Sequence, residues 1–475
     1  MNNKIFILCF IIFLSLFKSS YSQLDTNSLS NSLDSLFADE FFNSTQIAID
    51  IYDLNANKKL YSKNEKLLLR PASLQKILTT GAALLFLNDY KFQTKIYYDG
   101  EIEDSVCNGN LYVAGGFDPL FSLNDLDSLV KEIKKLGIKE IRGNLCGDIS
   151  IMDSLYWGEG WMWDDDPYPF ASYISALSIN ENSFNVIYKP SNIGEPAIIN
   201  IIPQTNYFDI INNSTTVKDT ISTFSITRDW LNKQDKIIAS GNIPFLLNAD
   251  TLKFSVAKPA LYFMTLLKER LIENKIIING NIEFKSVPNN ADEIFSFERN
   301  IDTVLLKTNK ESYNLGAELI LRTLALEYYG KPASAKRGIK LIDSLITIAG
   351  FDPKNFKIVD GSGLSFYNLV TAELITSILK YFYYEKEDLF IKLYNTFPIS
   401  GYDGTLKNRM LNNKAYKKVR AKTGTLSGVS NLAGYMFNKN NHLIAFCIMM
   451  QNFTTPAKKA RDIQDKICEL IYQRN

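Results

Sequence analysis

The sequence predicts an α+β domain that is split by a large, mostly β insertion. Strand-like segments lie at both ends of the 475-residue chain, and helical patterns return between residues 259 and 384. Between residues 91 and 248, short strand-like segments alternate with turns rich in Gly, Asn and Pro. We therefore expect residues 23–90 and 249–475 to form one discontinuous domain, interrupted by a β-rich accessory region at 91–248.

The first 22 residues have the features of a signal peptide. Lys4 gives a positive start, residues 5–17 are apolar, and Ser20-Tyr21-Ser22 offers small residues where a signal peptidase reads. The apolar run is shorter than the roughly 20 residues that a membrane span needs, and no later segment is long enough. We predict an exported, periplasmic or cell-envelope protein without a transmembrane span after cleavage; a retained N-terminal anchor is the alternative.

The folded part opens with a predicted hairpin and helix. Ile47, Ile49 and Ile51 alternate on one face of a strand over 46–53, a turn follows, and the chain returns at 60–61. Pro71 precedes a helical pattern over residues 72–87. The later predicted elements are helices near 125–136, 259–274, 312–329, 333–349 and 371–384, strands at 419–425, 431–437 and 442–450, and a final helix over 456–472.

Composition excludes several kinds of partner and site. The 52 basic and 51 acidic residues nearly balance, so we predict no nucleic-acid partner. Four cysteines remain after signal cleavage; Cys107 with Cys146 and Cys447 with Cys468 is the preferred disulfide pairing, and four free buried thiols are the open alternative. Without a C-x-x-C pair, and with a single histidine, the chain is predicted to use no metal or other cofactor.

Ser73 and Lys76 form the most informative pair in the chain. Residues three apart on a helix share one face, with Cβ atoms roughly 5–6 Å apart. A serine hydroxyl is a weak nucleophile until a base takes its proton. The single histidine, His442, lies in a polar turn, so the base of a serine enzyme built from this chain must be a lysine. Desolvation and a second cation both favour the neutral amine that this role requires.

Two further motifs follow in an order typical of penicillin-recognising acyl transferases: S-x-x-K, then S-x-N, then K-T-G. Ser312 and Asn314 stand where a helix is predicted to begin. Lys422 and Gly424 share one face of a predicted strand, where the glycine would let a substrate backbone approach closely. Each motif alone is common, but the ordered set in fitting elements is specific.

The sequence around these motifs resembles the penicillin-binding protein 4 group of D-alanyl-D-alanine carboxypeptidases and endopeptidases, the low-molecular-mass class C penicillin-binding proteins. The resemblance implies a β-lactamase/transpeptidase-like domain, in which helices flank an antiparallel sheet. It also implies a serine-type D-Ala-D-Ala carboxypeptidase acting on peptidoglycan stem peptides, with endopeptidase activity left open. The blocks that carry it are residues 69–76, 109–111, 116–119, 160–163, 360–365, 404–406 with 409–410, 419–426 and 432–435.

The resemblance also implies a role for each motif residue. Ser73 attacks the carbonyl between the two terminal D-alanines, and Lys76 takes its proton. Ser312 relays a proton toward the leaving amine, and Asn314 hydrogen-bonds the substrate peptide. Many relatives carry aspartate at the position of Tyr313, so this residue is expected to alter the floor of the cleft or the substrate preference.

The K-T-G strand is implied to bind the substrate. The backbone N–H groups of Ser73 and Thr425 would form the oxyanion hole. Lys422, Thr423 and Thr425 would hold the terminal carboxylate, beside Gly424. Water would then release the acyl-enzyme, whereas a β-lactam antibiotic would trap Ser73 and act as an inhibitor.

Other interpretations remain open. A β-lactamase needs a positioned water for fast deacylation, and no glutamate for that task is identified; an inactive cell-wall-binding protein is the alternative outside enzymes. Asp360-Gly361-Ser362-Gly363 also fits a plain turn, because Gly and Asp dominate turns. Trp157, Trp161 and Trp163 fit core packing as well as a binding surface.

Overall fold

A computed structural model describes residues 29–474, and the predicted signal peptide at residues 1–22 lies outside them. The described chain opens with helix α1 (residues 29–36) and a hairpin of β1 (Gln46–Asp53) and β2 (Lys58–Lys63). A 3₁₀ turn at Ala72–Leu74 leads into α2 (Gln75–Phe86). The predicted hairpin and helix are confirmed, and the alternating isoleucines of β1 are buried.

Residues 91–300 form smaller sheets around a core of their own. The elements are β3 (Lys91–Asp99), β4 (Ile102–Glu103), β5 (Val106–Cys107), β6 (Asn110–Ala114), α3 (Leu123–Lys135), β7 (Glu140–Ile141), β8 (Leu145–Asp148), β9 (Ser183–Lys189), β10 (Ile198–Ile202), β11 (Asp209–Val217), β12 (Ser225–Arg228), β13 (Lys236–Pro244), β14 (Asp250–Ser255), α4 (Pro259–Glu273), β15 (Ile277–Ile278), β16 (Ile282–Phe284) and β17 (Asp292–Asn300). The strand orders of the four sheets are β16-β8-β6-β3-β17, β15-β7-β5-β4, β10-β9-β14 and β11-β13-β12.

The inserted region is tied together by strand pairing beyond residue 248. Strand β17 pairs antiparallel with β3, and α4 packs into the same core as α3. As a domain boundary, the predicted insertion at 91–248 stays a prediction. We propose that the inserted region ends at about Asn300, where the chain returns to the first domain. With this boundary, both strands that pair with β3, namely β6 and β17, belong to the inserted region.

The remaining chain alternates helices with the last three strands. The helices predicted near 312–329, 333–349, 371–384 and 456–472 are confirmed, and so are the strands. Two short helices, α5 (Ile301–Lys310) and α9 (Glu387–Thr396), were not predicted. Each has only ten residues with several charges, so its hydrophobic residues show little helical periodicity. The elements are α5 (Ile301–Lys310), α6 (Asn314–Tyr329), α7 (Ala335–Ile348), α8 (Ala372–Glu385), α9 (Glu387–Thr396), β18 (Val419–Leu426), β19 (Val429–Phe437), β20 (Leu443–Gln451) and α10 (Ala457–Gln473).

The two ends of the chain meet in one antiparallel sheet of order β18-β19-β20-β1-β2. One face packs on α2, α6, α7 and α8, and the other face is covered by α1 and α10. The predicted α+β class is therefore confirmed, with helices on both faces of the sheet. Strand β18 is an edge strand, and it runs beside the turn at Ala72–Leu74. Among the helices within residues 29–474, none combines the length and apolar character needed to cross a membrane.

The four cysteines of the described chain are free and buried, so the preferred disulfide pairing is wrong. Cys447 faces the α2 and α8 side of the sheet, whereas Cys468 lies on α10 on the opposite side. Cys107 and Cys146 lie in different sheets of the inserted region. Burial raises the pKa of Cys447 and of Cys468, as expected for thiols that serve as core.

Candidate active site

The turn that carries Ser73 is held closely from two sides. A Cβ at Gly363 would lie 1.8 Å from the carbonyl oxygen of Ala72, and a Cβ at Gly424 would lie 2.7 Å from that of Pro71. Only glycine fits such approaches, and Gly363 also has a φ of +79°. The close approach at Gly424 is thus made by the protein's own turn, and its predicted contact with a substrate backbone stays a prediction.

Backbone strain and a side-chain amide also mark this turn. Ala72, directly before Ser73, has a φ of +47°, a conformation that costs energy for a residue with a Cβ. The Asn431 amide donates hydrogen bonds to the carbonyl oxygens of Arg70 (2.9 Å) and Pro71 (2.8 Å). Strand β19 therefore anchors the segment that presents Ser73, and the Ser73 side chain stays partly exposed to the cleft.

Three oxygen atoms surround the Lys76 Nζ. It lies 3.0 Å from Ser73 Oγ, 2.6 Å from Asn314 Oδ1 and 2.6 Å from the carbonyl oxygen of Ser362. A neutral amine has two N–H donors and one lone pair. The amide and carbonyl oxygens accept only, so they take both N–H groups and leave the lone pair for the Ser73 hydroxyl.

Burial makes the neutral form of Lys76 accessible near neutral pH. The side chain is fully buried, and this desolvation lowers its pKa from 10.5 to about 7. Asp360 and Glu318 act in the opposite direction and favour the ammonium form. The group next to Ser73 therefore has the geometry of a base and a pKa suited to that role.

The second and third motifs meet on the other side of the cleft. The Lys422 Nζ donates to Ser312 Oγ at 2.8 Å and to the carbonyl oxygen of Thr423 at 2.8 Å. Lys422 is fully buried, and desolvation together with the charge of Lys76 holds its pKa well below the usual value. Ser312 has a φ of +59°, a second strained residue within the site.

The two threonines of the third motif lie along β18. Thr423 Oγ1 is 2.9 Å from Thr405 Oγ1, and Thr425 is exposed. Because β18 is an edge strand, part of its backbone hydrogen-bonding capacity faces the cleft. The structure thus brings Lys76 together with Ser73 and Asn314, and Lys422 together with Ser312. Thr423, Gly424 and Thr425 continue along β18, which runs beside the Ser73 turn.

Sequence reasoning missed a pair of buried carboxylates behind Lys76. Asp360 accepts hydrogen bonds from the backbone N–H groups of Gly363 and Ser365, both at 2.8 Å, and so shapes the turn that presents the Ser362 carbonyl. Glu318 binds the same turn from α6. The Asp360–Gly363 turn is therefore part of the site, and the plain-turn interpretation is incomplete. The signal was the pair Glu318 and Arg322, of opposite charge and four residues apart within a largely apolar stretch of α6.

The inserted region also contacts the site. The Tyr313 hydroxyl donates to the carbonyl oxygen of Pro119 at 2.8 Å, and the Asn314 amide donates to that of Phe170 at 2.7 Å. The Trp161 indole is buried and donates to Asp360 at 3.0 Å, which fits the core interpretation. Trp163 is 70% exposed, so that interpretation does not extend to it.

His442 takes no part in this cleft. Its side chain is 43% exposed, and Nδ1 lies 2.9 Å from Asp53 Oδ2, between the start of β20 and the end of β1. The imidazole is thus held on the sheet, away from Ser73, as the turn position predicted.

Comparison with known proteins identifies close relatives over nearly the whole chain. Residues 29–473 match the model of the D-Ala-D-Ala carboxypeptidase 3 (S13) family. The D-alanyl-D-alanine carboxypeptidase DacB of Haemophilus influenzae is 30% identical over 408 residues, which cover 85% of each chain. A D-alanyl-D-alanine carboxypeptidase of Actinomadura sp. (strain R39) is 28% identical over 465 residues, or 92% of this chain and 83% of that protein.

Solved structures agree with this match. The crystal structure of penicillin binding protein 4 (dacB) from Haemophilus influenzae gives a TM-score of 0.83 at 28% identity, over 92% of this chain and 99% of that one. The same protein complexed with a novel β-lactam gives a TM-score of 0.76 at 26% identity, over 92% and 98%. The predicted resemblance to the penicillin-binding protein 4 group, and the fold it implied, are confirmed.

Proposed function

Because the chain belongs to the D-Ala-D-Ala carboxypeptidase 3 (S13) family, we propose that it works as a serine-type D-Ala-D-Ala carboxypeptidase through an acyl-enzyme on Ser73. The enzyme is a hydrolase of the kind found in its relatives, and the residue roles are our proposal. One observation carries them: Lys76 Nζ lies 3.0 Å from Ser73 Oγ, with its other two neighbours both acceptors.

In the acylation step, the neutral Lys76 amine removes the proton of Ser73 as Oγ bonds to the carbonyl carbon between the terminal D-alanines. The carbonyl electron pair moves to its oxygen, and the N–H groups of Ser73 and Thr425 stabilise that oxyanion. The resulting Lys76 ammonium keeps three acceptors. The charge formed at Lys76 therefore stays solvated by the protein.

In the second half of acylation, the electron pair of the oxyanion re-forms the carbonyl, the C–N bond breaks, and the nitrogen of the leaving D-alanine gains a proton. Ser312 is within hydrogen-bond reach of Lys422, so its hydroxyl can donate to the leaving amine while the Lys422 ammonium replaces the proton. The terminal carboxylate of the substrate binds Lys422, Thr423 and Thr425, beside Gly424. A carboxylate next to a buried, desolvated lysine favours its charged form, so substrate binding itself readies Lys422 for this transfer.

The substrate class follows from the family. We propose that the substrates are peptidoglycan stem peptides, which place the enzyme in the periplasm or cell envelope, and that β-lactams act as inhibitors that acylate Ser73. The relative in Haemophilus influenzae has been crystallised with a β-lactam. Asn314, on the same wall as Lys76, would bind the substrate peptide through its amide.

The first test is labelling and turnover with the mature protein. We expect a fluorescent penicillin to form a stable adduct on the peptide that contains Ser73, and D-alanine to be released from a pentapeptide muropeptide. Cleavage of a cross-linked muropeptide dimer would add endopeptidase activity. Rapid penicillin hydrolysis without a stable adduct would indicate a β-lactamase, and no reaction with either reagent would indicate an inactive binding protein.

The lowered pKa of Lys76 predicts the pH dependence of acylation. The active form is the neutral amine, so the rate should rise with pH through about 7 and level off above it. Below the pKa, the acylation rate should fall about tenfold for each unit by which the pH is lowered, because the neutral fraction of Lys76 falls tenfold. Second-order rate constants for penicillin acylation between pH 5.5 and 9 test this. A rate that stays flat from pH 6 to 8 would exclude Lys76 as the titrating base.

A further inference from the structure

Helix α6 carries a polar stripe through the apolar core behind Lys76. Asn314, Glu318 and Arg322 stand four residues apart, so they share one face of the helix. Glu318 and Arg322 are each only 1% exposed. Such residues are almost never buried to this extent unless they are paired, and the first member of the stripe already binds Lys76.

The Glu318 carboxyl group binds the turn that holds Lys76. Its Oε1 accepts hydrogen bonds from the backbone N–H groups of Gly361 (3.0 Å) and Ser362 (2.9 Å). Its Oε2 accepts from the Arg322 guanidinium at 3.3 Å. Burial and Asp360 raise the pKa of Glu318. The Arg322 guanidinium and the hydrogen bonds from Ser362 act in the opposite direction and favour the carboxylate form, which we assign.

We propose that Glu318, paired with Arg322, is a positioning residue that fixes the Ser362 carbonyl on Lys76 and keeps a negative charge behind it. The inference rests on the proposed role of Lys76 as base. The Ser362 N–H is bound by Glu318, and the carbonyl of the same residue accepts from Lys76 at 2.6 Å. Glu318 therefore acts through Ser362: by fixing the carbonyl that accepts from Lys76, it sets the direction in which the Lys76 lone pair points.

Four ionisable groups face Lys76 from the elements packed around it. Glu318 and Arg322 come from α6, Asp360 from its turn, and Lys422 from β18. The two carboxylates favour the ammonium form of Lys76, whereas desolvation favours its amine form. Removing the charge of Glu318 therefore makes the amine form more accessible, while weakening the hold on Ser362.

The test compares Glu318→Gln with the parent in penicillin acylation across pH. Glutamine keeps one oxygen for the two N–H groups but carries no charge. We expect the acid limb of the rate profile to move to lower pH by roughly one unit. The plateau rate should fall about tenfold, because a neutral amide oxygen holds the two N–H groups less firmly than a carboxylate does. Glu298→Gln, which removes an exposed ion pair with Lys91, is the matched control and should leave the profile unchanged.

The outcomes separate this inference from the proposed function. If the parent itself forms no adduct, the proposed function fails. If the parent reacts and Glu318→Gln retains both the parent's acid limb and its plateau, only the positioning role fails. A variant that is less stable, yet keeps the parent's acid limb, would show a structural role and also overturn the inference.

If the Glu318→Gln variant does not fold, amide hydrogen exchange measured on the parent protein still tests the inference. The N–H groups of Gly361 and Ser362 should exchange as slowly as those of the central sheet, because a buried carboxylate holds both. Exchange of segment 359–365 as fast as that of the exposed loop at 218–224 would overturn the inference without any substitution.

Discussion

Replacing Ser73 by alanine is expected to abolish the acyl-enzyme. The Ser73 Oγ atom is the one that bonds to the substrate carbonyl, so no rearrangement of Lys76 or Ser312 can replace it. D-alanine release should fall by roughly 10⁴-fold or more, as expected when the nucleophile of a cooperating set is lost. Fluorescent penicillin labelling, intact-protein mass and D-alanine release measure the effect. The fold should persist, since the Ser73 side chain is partly exposed.

A matched serine distinguishes loss of the nucleophile from a general effect of the substitution. Ser154 is exposed, so Ser154→Ala should label and turn over like the parent. If Ser73→Ala kept one penicillin adduct per protein, another hydroxyl would have to be the nucleophile. Ser312 would then be the first candidate, because Lys422 already lies 2.8 Å from it.

Local patterns predicted the elements of this fold well. Ile47, Ile49 and Ile51 alternate because they share the face of β1 that packs toward α1 and α10. The ordered motifs located the site before any contact was known. The spacing of Ser73 and Lys76 predicted their contact, although Ser73 lies on the 3₁₀ turn before α2, because residues three apart are also neighbours in a 3₁₀ turn. Long-range strand pairing was harder to predict. Strand β17 pairs with β3 across nearly two hundred residues, and local hydrophobic periodicity does not show which strands pair.

The charges behind Lys76 show why the rest of the site escaped sequence reasoning. Asp360 and Glu318 are far apart in sequence and meet only when the turn at 360–363 packs on α6. A Gly- and Asp-rich segment looks the same whether it joins two elements or presents a carbonyl to a lysine. The disulfide error has a similar origin, because closeness in sequence did not reveal that the sheet separates Cys447 from Cys468.

Replacing Lys76 by methionine is expected to separate activity from stability. Methionine fills a similar volume but cannot accept a proton, so acylation should fall by at least ~10³-fold, within the range of general-base catalysis. The melting temperature should rise by a few degrees, since a buried polar amine gives way to an apolar side chain. Penicillin acylation rates and thermal unfolding on the same preparation measure both effects.

The pH dependence of that stabilisation follows from the same pKa shift. Lys76 has a pKa of about 7 when folded, and its ordinary value is 10.5, so the unfolded chain binds more protons between these pH values. The parent therefore gains stability as pH rises from 7 to 10.5, and the advantage of Lys76→Met should be larger at pH 7 than at pH 10. Lys76→Arg keeps a cation that stays protonated at every working pH, and it should be inactive without the stability gain. Retention of acylation in Lys76→Arg would contradict the lysine base, because guanidinium has no lone pair to offer Ser73.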